Sequence, residues 1–228
     1  MATKIKNEKA INIELPEIET GLLTLNIIGD SPLIVHRWSE KARKEMLDKQ
    51  MKKAGNGKQT KNPVRDFVDA LYWLDEAGNA ISTPQELDDV DDTTPADEIY
   101  DVLKNGRFGF PTIAFKSCAI NAGFQQGVIS KKTTARGAFY IVGEFAVIDG
   151  IPEMREDMVR IGGQSKVADI RYRPEFKEWK TQLLIQYNRK AITPEQIAVL
   201  MNFGGFSNGV GEWRPEKDGS FGRFHVGA

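Results

Sequence analysis

Trp179, Thr181, Leu183, Ile185 and Tyr187 alternate strictly with Lys180, Gln182, Leu184 and Gln186. A period of two marks a strand with one face on a core, so 178–188 is predicted as a half-buried strand. Leu23, Leu25 and Ile27 alternate with Leu22, Thr24, Asn26 and Ile28, giving a second strand that ends at Gly29. Between these two strands, Phe115, Ala119 and Ala122 share one helical face over 114–123, and 138–148 is an almost wholly apolar run with β-branched residues. The first reads as a helix closed by Gly123 and the second as a buried strand. Thr193-Pro194-Glu195-Gln196 is a capping box with proline at the first helical position. It opens a helix over 194–202 that stops before Gly204-Gly205, and 221–226 makes a last strand.

The order is therefore β-α-β-β-α-β, an α+β chain with a ferredoxin-like or RRM-like core. Residues 30–110 form a large insertion after the first strand and 150–175 a smaller one. The expected organisation is an N-terminal arm over 1–20 and a single domain over 21–228, a length that suits one elaborated domain. Within the insertion, Asn62-Pro63 starts a helix whose apolar face is Val64, Phe67, Val68 and Leu71. Residues 72–81 read as a short hairpin and 86–101 as an extended acidic loop. No run of about 18 apolar residues and no apolar signal core is readable, so a cytoplasmic protein is expected.

The net charge is −1, yet charge is strongly segregated. Residues 37–65 hold ten basic and three acidic side chains, 104–136 six basic and none acidic, and 160–190 eight basic and three acidic. The compensating acids concentrate in 86–101, with eight acidic residues and no basic one. A near-zero total thus coexists with a positive face suited to an anionic partner. One Cys and two His exclude a disulfide framework and a Cys-rich zinc site, and no metal or other cofactor is expected. Cys118 reads as a small core residue.

Segment 203–224, FGGFSNGVGEWRPEKDGSFGRF, holds six glycines interleaved with Trp213, Arg214, Phe221, Arg223 and Phe224. Glycines permit close backbone approach, arginines supply charge and stacking surface, and aromatics supply base platforms. The plainer alternative is a tight connection that packs Phe and Trp into the core. No GxxxxGK[ST] pattern occurs, and Gly204-Gly205 follows a helix, which argues against Walker-type and dinucleotide folds. A second segment, GFPTIAFKS at 109–117, is a Pro-led turn with Lys116 and Ser117 placed in the first helical turn.

Together these features resemble the RAMP superfamily, the RRM-like backbone subunits of CRISPR effector complexes. Pro111, Phe115, Lys116 and Ser117 match the family's turn into the first core helix. Gly209, Gly211, Gly219, Phe221, Gly222 and Arg223 match its glycine-rich loop. Thr112, Ile113 and the Trp213-Arg214-Pro215 insert depart from the pattern. SPLIVHRWSEKA at 31–42 is also similar to uncharacterised bacteriophage proteins found among replication and recombination genes. The resemblance implies a non-catalytic protein that binds single-stranded nucleic acid, RNA or DNA, and polymerises along it as a homo-oligomer. The residues assigned to that contact are Lys116, Ser117, Lys131, Lys132, Arg136, Arg171, Arg173, Trp213, Arg214 and Arg223. Lys131, Lys132 and Arg136 are expected on a flexible loop. The alternatives are a phage structural or assembly protein, and a RAMP-like metal-independent ribonuclease in which His36 would be the acid/base candidate.

Overall fold

In the computed structural model, the described residues are 17–52, 61–161 and 167–227. Most of the expected arm and the loop around Lys58 lie outside them. The strand expected at 22–28 is β1 (Thr20–Gly29), and the alternating segment is β8 (Lys180–Asn188). They pair antiparallel, with Leu25 opposite Leu183 and Ile27 opposite Thr181. Their period of two places Leu25, Ile27, Leu183 and Ile185 in the core and leaves Leu22 and Leu184 on the open face.

The chain between β1 and β8 contains β2 (Leu33–Ile34), α1 (Glu40–Gln50), α2 (Pro63–Asp69) and α3 (Ala96–Asn105). Then come β3 (Phe108–Pro111), α4 (Thr112–Gln125), α5 (Lys132–Ala138), β4 (Phe139–Ile141), β5 (Phe145–Asp149), β6 (Pro152–Ile161) and β7 (Val167–Phe176). After β8 come α6 (Pro194–Ser207) and β9 (Phe224–Val226). The fold is α+β. Its larger sheet runs β3-β5-β8-β1-β9, with β4 also paired to β8, and each of these pairs is antiparallel. Helices α4 and α6 pack together, and β9 packs against α6. No helix among the described residues is long and apolar enough to cross a membrane.

Several local expectations are corrected. The apolar run over 138–148 is not one strand: Gly143 turns the chain with φ of 87° between β4 and β5. The turn is pinned to the start of α4, where the Thr112 hydroxyl donates to the Gly143 carbonyl at 2.7 Å and the Thr112 N–H to the Glu144 carbonyl at 2.9 Å. The run is not wholly buried either, since Tyr140 and Val142 are exposed. The basic segment read as a flexible loop contains α5.

The acidic stretch is not an extended loop. Leu87 and Val90 are buried, and Pro95 leads into α3 with Asp97 and Glu98 in its first turn, where carboxylates suit the helix dipole. Arg65 ties this stretch to α2 by donating to the Leu87 carbonyl at 2.7 Å and to Asp88 at 3.0 Å. Asn62 caps α2 as its sequence position requires, accepting from the Arg65 N–H at 2.9 Å.

The segment read as a small insertion over 150–175 is a long β6–β7 hairpin. It forms a second sheet in the order β2-β7-β6. Its paired faces carry charge inward: Asp157 accepts from Arg155 at 2.9 Å and from Arg173 at 3.4 Å, and Arg155 also holds Glu175 at 3.0 Å.

Helix α6 begins at its capping box, with the Thr193 hydroxyl accepting from the Gln196 N–H. It does not stop before Gly204-Gly205 but runs through both, and α4 likewise runs past Gly123. These glycines are sites of close approach. A Cβ on Gly205 would stand 1.9 Å from the Phe224 carbonyl oxygen, and one on Gly204 would stand 3.0 Å from the Ala119 backbone. The plainer reading holds for this end of the glycine-rich segment, because Phe224 is fully buried against Phe115 and Trp179.

Candidate nucleic-acid interface

Helix α4 starts at Thr112, so Lys116 and Ser117 lie beyond its first turn rather than within it. Lys116 projects toward α5 and β4. Its ammonium donates to the Arg136 carbonyl at 2.7 Å and sits 4.1 Å from the centroid of the Tyr140 ring. Partial burial, then the positive charge of Arg136, lower the Lys116 pKa. Lys132, in the first turn of α5, donates to Asn121 Oδ1 at 2.9 Å and lies 4.9 Å from the Phe124 ring centroid. Lys131 and Arg136 are exposed at the two ends of α5. Four of the assigned cations therefore meet on one α4–α5 corner, beside the exposed rings of Tyr140 and Phe124.

This corner adjoins the glycine-rich loop. Asn121 Nδ2 lies 3.4 Å from Glu216 Oε1 and 3.4 Å from Ser117 Oγ. The loop folds back on itself, with Val210 N–H donating to the Gly222 carbonyl and Gly222 N–H to Pro32. Gly222 has φ of 66°, and a Cβ there would stand 1.7 Å from the Val210 carbonyl oxygen, so glycine is required for this closure. Glu212 N–H donates to the Ile34 carbonyl and fastens the loop to β2.

The remaining assigned residues are placed differently. Arg214 is a brace inside the loop: it donates to Glu216 at 2.9 and 3.0 Å and to the Gly211 carbonyl at 3.0 Å. Arg173 is 4 % exposed and bound to Asp157, because the inward charges of the hairpin need a buried cation. It is not presented to a strand. Arg171 lies on the same strand, 3.8 Å from Asp169. Trp213 is half-exposed with φ of 51°, and its carbonyl accepts from the Phe221 N–H. Arg223 makes no ion pair with Glu212 or Asp218 among the described residues. Its backbone bonds to Ser31 and Asp30, and its Nε is buried without a partner.

A cleft of about 250 Å³ opens where α4, the glycine-rich loop and the end of β2 meet. His36 stands at its edge, with Nδ1 3.9 Å from Glu212 Oε1. Partial burial of this 36 % exposed side chain, followed by the charge of Arg173, lowers the His36 pKa, and Glu212 only partly opposes this. The ring is therefore neutral near pH 7. Tyr72 lines the cleft and its hydroxyl pKa is raised, first by burial. Cys118 is buried there and its thiol is pushed up to about 12 by burial, so it is a core residue rather than a nucleophile. No group of His, Cys, Asp and Glu among the described residues is arranged to hold a metal ion.

Tyr72, Asn121 and Glu212 were not anticipated. Asn121 falls four residues after Ser117 on one helix face, so helical spacing would have found it. Tyr72 and Glu212 reach the cleft only through the folding of the insertion and the loop, which no local pattern encodes.

No protein-family model matches the chain, and no curated protein matches it in sequence. Among solved structures, the fold is similar to the crystal structure of Cmr6 from Pyrococcus furiosus, with a TM-score of 0.43 and 8% identity over 92% of this chain and 98% of that one.

Proposed function

We propose that this protein is a non-catalytic, single-stranded nucleic-acid-binding protein whose strand tracks the α4–α5 corner. The observation that carries the reading is the convergence of Lys116, Lys131, Lys132 and Arg136, from a segment with no acidic residue, beside exposed aromatic rings. Cations neutralise phosphates and release counterions, and ring faces accept bases irrespective of sequence. The neighbour order β9-β1-β8-β5, with α4 and α6 in the connections β1-α4-β5 and β8-α6-β9, supports reading the core as RRM-like. Pro111 at the entry to α4 and the glycine-rich loop beside it agree with a RAMP-like backbone subunit built as one domain with a large insertion. The test is filter binding of labelled oligonucleotides across a salt series. Four phosphate contacts give a log–log slope of about −3, at about 0.7 per phosphate on a single strand. Lys132→Ala and Arg136→Ala each reduce it by about 0.7. A flat salt response, or a slope that neither variant changes, overturns the reading.

One observation favours a second reading, an assembly protein. Arg214 and Arg173 are locked into internal pairs, so the glycine-rich loop and the hairpin serve the fold. The exposed acids of 86–101 would then meet a basic segment of a second copy. Light scattering without nucleic acid separates the two: salt-sensitive self-association that strands do not alter supports assembly.

A further inference from the structure

The cleft beside the basic corner has the chemistry of a base pocket rather than a phosphate site. Tyr72, Phe110 and Ala114 supply aromatic and apolar wall, and Ser117, Asn121 and Glu212 supply polar groups. The Glu212 carboxylate has unused acceptor capacity. His36 Nδ1 is 3.9 Å from one oxygen and Arg173 Nη2 is 4.0 Å from the other, both beyond hydrogen-bond distance. Among the described residues neither oxygen accepts a hydrogen bond. The Tyr72 hydroxyl likewise has no hydrogen-bond acceptor among them.

Glu212 and Glu216 face the cleft, Arg214 is spent on Glu216 at 2.9 Å and Arg173 lies 4.0 Å from Glu212, so the charges around the cleft largely cancel and a phosphate would meet no unpaired cation among the described lining residues. What enters from a strand is therefore a neutral ring, and about 250 Å³ is below the range of drug-sized sites. A carboxylate with two unused oxygens best accepts two adjacent N–H donors. Guanine alone among the common bases offers that on its Watson–Crick edge, through N1–H and N2–H₂. Adenine and cytosine place an acceptor beside their amino group, and uracil and thymine flank one N–H with two carbonyls. The cleft is also within reach of the strand. Asn121 bonds Lys132 at 2.9 Å and lies 3.4 Å from Glu216, so the cations and the cleft share an edge. Unstacked bases of single strands are commonly splayed into such pockets while their phosphates stay on a basic surface.

We propose that this cleft binds one guanine base, with N1–H and N2–H₂ donating to the Glu212 carboxylate. Delivery of the base by a strand rests on the nucleic-acid reading of the α4–α5 corner; occupancy by a free nucleoside does not. The first experiment compares oligo-uridine strands with and without one central guanosine. The guanosine strand is expected to bind about tenfold more tightly, and inosine at the same position, lacking the amino group, to lose the gain. Glu212→Gln should remove the guanosine preference while leaving the affinity and salt slope of plain oligo-uridine intact, and Tyr72→Phe, which keeps the ring and removes only the hydroxyl, should leave that preference in place. Strands that bind with no guanosine preference overturn the cleft assignment and leave the basic corner standing. The second experiment titrates free guanosine and adenosine into the protein and follows amide resonances. Saturable shifts at Ser117, Asn121 and Glu212 with guanosine but not adenosine retain the pocket even if no strand binds. No such shifts overturn it.

Discussion

Replacing Gly205 by alanine isolates the packing role of the glycine-rich segment from any role in binding. Gly205 lies within α6, so the intrinsic effect of alanine is favourable by about 1 kcal/mol. The added methyl, however, would stand 1.9 Å from the Phe224 carbonyl oxygen and 2.7 Å from its ring. Ordinary contact needs about 3.5 Å, so backbone must retreat by more than about 1 Å. Neither neighbour moves freely. Phe224 is 1% exposed between Phe115 and Trp179, and β9 is held to β1 through Ile27–Val226 and Gly29–Phe224. Overpacking a filled core costs about 1–3 kcal/mol and occasionally more. With a cost at the upper end of that range, the net loss is about 2 kcal/mol, a fall in Tm of about 4–8 °C for a chain of this size. Gly137→Ala is the matched control, because it lies in α5 with nothing within 4 Å of its would-be Cβ. It should hold or raise Tm. Thermal unfolding by circular dichroism reads both. A Gly205→Ala protein as stable as wild type would refute the close approach of α6 to β9.

Two further outcomes follow from the charge network. Arg173→Met should lower stability to urea by about 1–2 kcal/mol, since Asp157 loses one charged hydrogen bond and keeps the shorter one to Arg155, while affinity per folded molecule stays unchanged; a stable variant with weakened strand binding would return Arg173 to the interface. His36 has a folded pKa below the ordinary 6.5 because of burial and Arg173. Between that lowered value and about 6.5 the unfolded chain binds the proton and the folded chain does not, so stability falls on acidification through this window and is regained above it. His36→Gln should flatten that part of the profile in urea titrations at successive pH values, and an unaltered profile would count against the partial desolvation of the ring at the cleft edge.

The half-buried strands and the two core helices were legible in the sequence because each carries its period locally. Val64, Phe67 and Val68 announce α2, Thr193 and Gln196 announce α6, and the alternation of 178–188 fixes which face of β8 meets the core. The concentration of cations in 104–136 was equally legible, and it supplies the surface on which the functional reading stands. Other features depended on contacts between distant segments. Whether Gly204 and Gly205 end a helix or lie within one depends on the backbone of Ala119 and Phe224 arriving beside them. Whether Arg173 or Lys132 is exposed depends on where Asp157 and Asn121 come to rest. The cleft joins Tyr72, Ser117 and Glu212, which are far apart in the chain, so only tertiary packing could assemble it. Sequence determines which side chains are present and which local periods they follow, whereas exposure and pairing are properties of three-dimensional neighbours.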